Sequence, residues 1–347
     1  MAFDKDRVLS LQLVGGRVLI VIIIAIIITN LSLIASILWS SKLRCRLRNL
    51  AICCLSASDL LLGLFGASLI ADRYIRNDWV HGCVTQLVMF VFMNHSQEFV
   101  ATWYIVLLNI DYIMRLFNIN TTVLSSPVKT LLYVVLLILP WAAMCAVVIP
   151  IYSFRIHPNV REMWRPDFCP PIIPYSPFAT MTTLGFFVPA AIIILTSVVM
   201  VVVHIIQKMK LGESNMAANF IGIRDSPTET LSCTVEHPMC FIIPGLLTVA
   251  LHLPLSIFHL TPGVWNNYER GLTLWIVLLI IRVSKAMLVP LSWLTIPDIR
   301  AEVKNSFTCT CCTRQASGEG NGHATYRRFV DDQTTHNDDP VVTISCR

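Results

Sequence analysis

The sequence predicts an all-α membrane protein: a seven-transmembrane helix bundle followed by a short amphipathic eighth helix. Three observations carry this expectation. Of 347 residues, 55% are hydrophobic and only 14% are charged, where a water-facing domain carries about 25% charged residues. The mean hydropathy is +0.67. The apolar residues are also grouped into blocks of about 20, the length at which a helix crosses roughly 30 Å of hydrocarbon.

Taken in order, the predicted spans are 18–40, 50–71, 85–112, 128–151, 178–206, 239–261 and 272–296. The first holds no charge from Val18 to Trp39. It is too long for a signal-peptide core and no small-residue cleavage site follows it, so it is expected to be retained. No internal repeat is visible, which argues against transporters built from inverted halves. The expected organisation is an outer amino terminus at 1–17, the seven-helix domain at 18–297, a membrane-surface helix at 298–308 and a disordered cytoplasmic tail at 309–347. The surface helix is read from a cap at Asp298 and the apolar spacing of Ile299, Val303 and Phe307, with Arg300, Glu302 and Lys304 elsewhere on the turn.

Orientation follows from Lys and Arg in the short connections. Lys42, Arg44, Arg46 and Arg48 fall in the first connection with no acid among them. The side to which that connection belongs collects fifteen Lys and Arg, against nine on the other. The first connection is thus cytoplasmic and the amino terminus outside, in a cell-membrane protein. The net charge of +5 sits at span edges rather than in an aromatic-laced stripe, so the partner is a lipid bilayer and no nucleic acid is expected. Of twelve cysteines, Cys83 and Cys169 alone fall on the outer, oxidising side, and a bridge between them is expected. Cys309, Cys311 and Cys312 follow the surface helix directly. Palmitoylation suits them; a zinc site is the rival, short of a suitably spaced fourth ligand.

A finer pattern carries a resemblance. The second span has Asn49-Leu50, Leu55 and Asp59-Leu60-Leu61, with Ser56 beside them; Trp79 and Gly82 precede Cys83. Trp141 and Pro150 mark the fourth span, Phe186 and Pro189 the fifth, Pro254 the sixth and Pro290 the seventh. In this order, one landmark per span, the chain resembles the rhodopsin-like G-protein-coupled receptors over residues 18–308. The resemblance implies a receptor that passes an extracellular small-molecule or peptide signal to a heterotrimeric G protein, an arrestin or both. Proline kinks in the fifth, sixth and seventh helices would be the hinges.

The chain also departs from that pattern. The third helix ends Ile110-Asp111-Tyr112, without the Arg that normally separates the last two; Arg115 stands one turn later. His252 occupies the usual Trp position of the sixth helix, and Thr248 a usual Phe position. Val289-Pro290-Leu291-Ser292-Trp293 replaces Asn-Pro-x-x-Tyr, Ser197 replaces a common Tyr, and the stretch from Cys83 to Asp111 is longer than the family's. Asp111, Tyr112 and Arg115 are the expected coupling residues.

Ionisable groups at membrane depth are costly unless paired, so each is a functional candidate. The chain has Asp59, Glu98, Arg282 and Lys285 there. In the family, the acid matching Asp59 holds a sodium ion. The Lys285 ammonium is expected to stand in for that ion, pairing with Asp59 and Glu98; outward snorkelling is the alternative. Arg282, one turn away, would either meet an anionic ligand or pair with Glu98. His252, Asn94 and Trp265, with His259, are the expected lining of the ligand cavity. The third helix offers no Asp for an amine ligand, and Lys285 is misplaced for a retinal linkage. A non-signalling or constitutively active receptor, and a transporter or channel using the four charges as a polar path, remain open. No cofactor, metal or enzymatic role is expected, since no His, Cys and Asp set shares one membrane level with suitable spacing.

Overall fold

The computed structural model describes residues 5–117, 126–155, 175–221, 237–261 and 268–307. Every regular element among them is helical. The helices are α1 (Lys5–Trp39), α2 (Leu47–Arg76), α3 (Gly82–Leu116), α4 (Ser126–Arg155), α5 (Tyr175–Met209, continuing as helix to Ile221), α6 (Met239–His259), α7 (Tyr268–Ser292) and α8 (Pro297–Phe307). A single turn at Ser41–Arg44 links α1 to α2. Seven of these helices, α1 to α7, are long and apolar enough to cross a membrane. A helix satisfies most of its backbone groups within itself, the condition for a chain to cross hydrocarbon.

Several helices overrun the predicted spans. α1 begins at Lys5 rather than residue 18 and runs for 35 residues, about 52 Å at 1.5 Å per residue. Its first turns are polar but remain anchored. Val8 is buried in a cluster with Tyr74, Trp79 and Leu272, and Gly15 and Gly16 lie close against Ile276, Tyr74 and Ile75. Hydropathy marks the apolar stretch of a helix; packing decides where the helix itself ends.

The surface is apolar and the interior partly polar. Val21, Ile24 and Ile28 on α1, Leu131, Val135 and Ile138 on α4, and Leu195, Val198 and Val202 on α5 are exposed, the inverse of a soluble bundle. α3 is central, packing against α2, α4, α5 and α6. Two apolar clusters fill the interior. One joins Tyr104, Tyr112, Phe186, Phe241 and Trp293. The other joins Leu19, Ile26, Leu62, Met93 and Val283. For orientation, one end of the bundle carries Cys83 and the other carries α8.

Three helices contain a π segment: Leu62–Ala67 in α2, Phe92–Ser96 in α3 and Thr183–Phe187 in α5. Each inserts extra residues into an α-helix and turns the following side chains to a new face. The α3 segment lies within the long Cys83–Asp111 stretch and immediately precedes Gln97 and Glu98.

Prolines leave carbonyls that need new donors, and two such donors come from neighbouring helices. Pro290 cannot bond the Ala286 carbonyl one turn back; Asn30 Nδ2 of α1 donates to that oxygen at 2.8 Å. Pro189 likewise frees the Gly185 carbonyl, which accepts from Thr102 Oγ1 of α3 at 2.7 Å. These bonds place the kinks of α7 and α5 against fixed partners. At the Cys83 end, α2 stops at Asn77, which has a left-handed φ of 56°. Asp72 there meets Arg76 at 2.6 Å and His81 at 3.0 Å. Trp79 Nε1 donates to the Gly82 carbonyl at 2.8 Å, and Gly82 has φ +75°, a conformation that favours glycine. α8 is tied back by Arg46–Asp298 at 2.6 Å and by Ser40 Oγ donating to Glu302 at 3.2 Å.

The contact of α1 with α2 relies on small residues. A Cβ added at Gly63 would lie 2.9 Å from Cγ2 of Ile26. Gly63→Leu should therefore lower thermal stability in detergent, on the scale of overpacking at about 1–3 kcal/mol. Adding Ile26→Ala should restore part of the loss. A Gly63→Leu protein with unchanged melting would contradict this packing.

Candidate functional site

A layer of buried charge is contributed by three helices, with a hydroxyl from a fourth bonded to it. Asp59 comes from α2, one turn before the π segment. Glu98 comes from α3, directly after its π segment, and Arg282 and Lys285 share a face of α7. All four are at most 2% exposed. Lys285 Nζ lies 3.2 Å from Asp59 Oδ1, and Gln97 Nε2 donates to the same oxygen at 2.8 Å. Arg282 Nη2 lies 3.8 Å from Glu98 Oε2 and also donates to the Met93 carbonyl. Arg282 Nη1 approaches Asn94 Oδ1 at 3.5 Å. Ser256 Oγ of α6 donates to Glu98 Oε1 at 2.9 Å.

The layer is electrically balanced, with two acids facing two bases. That balance matters because an isolated charge in a low-dielectric interior is far more costly than a paired one. Gln97 and Glu98 follow the α3 π segment as neighbours on the helix, about 100° apart, and meet different partners, Gln97 on α2 and Glu98 on α6 and α7. Lys285 reaches Asp59 across the bundle rather than extending outward, and Arg282 is held by three groups on α3. Chemically, the layer ties α7 to α2 and α3 through its ion pairs, and α6 to α3 through Ser256.

The remaining expected residues fall in several places. His252 is fully buried, with its ring 5.7 Å from that of Phe186 and without a hydrogen-bond partner for either ring nitrogen. Asn94 Nδ2 donates to the Phe90 carbonyl at 3.0 Å, so this amide is engaged within the bundle. Trp265 lies outside the described residues, as do Cys169, Cys309, Cys311, Cys312 and the tail 309–347. Cys83 occupies the second position of α3. Towards the Cys83 end, His95, Phe178, His259 and Trp275 form a chain of rings with centroids 4.8, 5.5 and 5.0 Å apart. Of these, only His259 was selected from sequence.

At the α8 end, Arg115 pairs with Asp111 at 2.8 Å within α3. Its guanidinium also sits over the rings of Tyr112 and Phe241, at 5.9 and 5.7 Å, within cation–π range. Tyr112 stacks on Phe241 of α6 at 4.7 Å, and Phe241 meets Trp293 at 6.2 Å. Gln207 of α5 donates to the Leu116 carbonyl at 3.2 Å. The end of α3 is thus joined to α6 through rings and to α5 through a hydrogen bond.

Sequence reasoning missed Gln97, Ser256, Asn30 and Thr102. Their signal was weak but present: each is a polar residue inside an apolar span. Among the described residues, no group of three or more His, Cys, Asp and Glu is placed to hold a metal. No family model matches the chain, and no curated protein matches it.

Two outcomes test the layer. Removing one member of a buried pair costs about 3–5 kcal/mol because its partner is left unpaired. Asp59→Asn and Lys285→Met should each lower the melting temperature, while the double variant recovers much of the loss. Additive losses would show that the pair is not coupled. Separately, Lys285→Ala leaves Asp59 without its cation, so sodium should raise the stability of that variant but not of the parent. An equal sodium response in both would exclude a stand-in role for the ammonium.

Proposed function

We propose that this chain is a cell-surface receptor of the rhodopsin-like G-protein-coupled type, passing an extracellular signal to cytoplasmic partners. The observation that carries the reading is the join of α3 to α6 at the α8 end, where Arg115 lies over Tyr112 and Phe241. It supplies a contact that can open and close between the helix ends on which a partner would dock. The charge layer supports the reading from the middle of the bundle, since it links α7 to α2 and α3 near the Pro290 kink. The order of landmarks in the sequence, one per helix, is the second line of support.

In this reading the Cys83 end faces outward and the α8 end faces the cytoplasm, as the Lys and Arg distribution favours. A Cys83–Cys169 bridge would fasten the outer loop to α3. Palmitoylation at Cys309, Cys311 and Cys312 would hold α8 on the inner leaflet. The cytoplasmic partner is a heterotrimeric G protein, an arrestin or both. Ligand binding would act by shifting an existing equilibrium between helix packings.

A second reading is favoured by one observation. Arg115 is paired with Asp111 in its own helix and stands a turn away from the usual position, which fits a receptor that recruits arrestin without activating G proteins. The pairing of the four membrane-depth charges with one another supports a structural tie over a transport path.

The discriminating measurement is basal and ligand-driven activation of each G-protein class in cells, with arrestin recruitment recorded in parallel. Phe241→Ala and Arg115→Ala should both raise basal activation at equal surface expression, by loosening the α3–α6 join. Arrestin recruitment without coupling to any G protein would favour the second reading. Ion flux through the purified protein in vesicles would overturn both.

A further inference from the structure

His204 and His237 take no part in the charge layer or in the α3–α6 join. His204 lies on α5, one turn before Lys208. His237 directly precedes Pro238 and the first turn of α6. The sequence separates them by more than thirty residues, yet the bundle brings their rings to a centroid distance of 5.0 Å at an interplanar angle of 68°. His237 is exposed and His204 half-buried, so an ion from solvent reaches both.

We propose that His204 and His237 form a two-histidine site for a divalent transition metal such as Zn2+, clipping α5 to the start of α6 at the α8 end of the bundle. The geometry is that of such a site. With a Zn–N bond of about 2.0–2.1 Å, a ring centre lies about 3.2 Å from the metal, and two ligands at the tetrahedral angle place their ring centres roughly 5 Å apart. The observed ring-centre separation of 5.0 Å matches that value, and binding would turn a nitrogen of each ring towards the shared ion. His237 Nδ1 accepts from the Met239 N–H at 3.4 Å, at the limit of a hydrogen bond, so changing its tautomer to present a lone pair costs little. Lys208 is exposed and carries its charge into solvent. Neutral imidazoles are suitable ligands for zinc, copper and nickel. Two protein ligands leave the other positions to solvent, so the site would bind reversibly rather than permanently. The inference stands on this geometry and is independent of the receptor reading.

The bland alternative is an edge-to-face ring contact with no metal affinity. The test uses the full chain in lipid nanodiscs, with accessible thiols alkylated so that cysteines do not compete. Zn2+ alone is the probe. Zinc should raise the melting temperature, EDTA should reverse the rise, and His204→Gln or His237→Gln should each abolish it. Binding to the folded state alone stabilises by mass action, so the shift should grow with zinc concentration. Bound Cu2+ should show coupling to two nitrogens in its electron paramagnetic resonance spectrum, falling to one in either variant. A zinc shift that survives both substitutions, or coupling to a single nitrogen in the parent, would overturn the site. The copper spectrum of the parent decides the matter even if a variant fails to fold.

Discussion

Four charges placed where water is excluded must neutralise one another, and the arrangement of α2, α3, α6 and α7 follows from that requirement. Lys285 reaches Asp59 and Arg282 reaches Glu98 only if α7 stands opposite both α2 and α3. The register is constrained as well as the neighbours. Sliding α7 by one turn would carry an ammonium or guanidinium away from its acid, at a cost of several kcal/mol. Apolar helices in lipid have little to distinguish one sliding position from another, because side chains and lipid tails are equally apolar. The buried pairs supply the missing specificity.

Backbone irregularities serve the same requirement. The π segments of α2 and α3 adjoin the charge layer, one just after Asp59 and the other just before Gln97 and Glu98. The kinks at Pro290 and Pro189 expose carbonyls that Asn30 and Thr102 then satisfy. A freed carbonyl in hydrocarbon would otherwise be costly, so each kink recruits a specific neighbour. α1, which carries no charge in its apolar stretch, is fixed to α7 by an amide in this way and by Gly15 close against Ile276, while Gly16 lies close against α2.

The residues towards the Cys83 end are held by other contacts than the charges. Asn94 and His252 are enclosed in helix contacts, whereas an unforeseen run of rings from His95 through Phe178 and His259 to Trp275 lines the bundle towards the Cys83 end. Aromatic residues in a span look alike in sequence whether they face lipid or a neighbouring helix. The join at Arg115, Tyr112 and Phe241 shows the same limit. Arg115 was legible as the cation one turn beyond Asp111, but Phe241 gave no sign in the sequence of lying beneath it.

The sequence alone determined the number of helices long and apolar enough to cross a membrane, their approximate limits, the position of α8 and the four charges within apolar stretches. Those features depend on local composition: twenty apolar residues, a short run after the last long helix, an ionisable group amid aliphatic neighbours; Asp298, expected as the cap of α8, lies instead inside its first turn. Only the tertiary structure decided which acid meets which base, which side chain satisfies each proline-freed carbonyl, and that His204 meets His237. It also decided that α1 extends back to Lys5 and α5 on to Ile221. The physical reason is that pairing depends on rotation and register about seven axes, and a single π turn changes both. Hydropathy reports how deep a residue lies; it carries no information about which helix it will face.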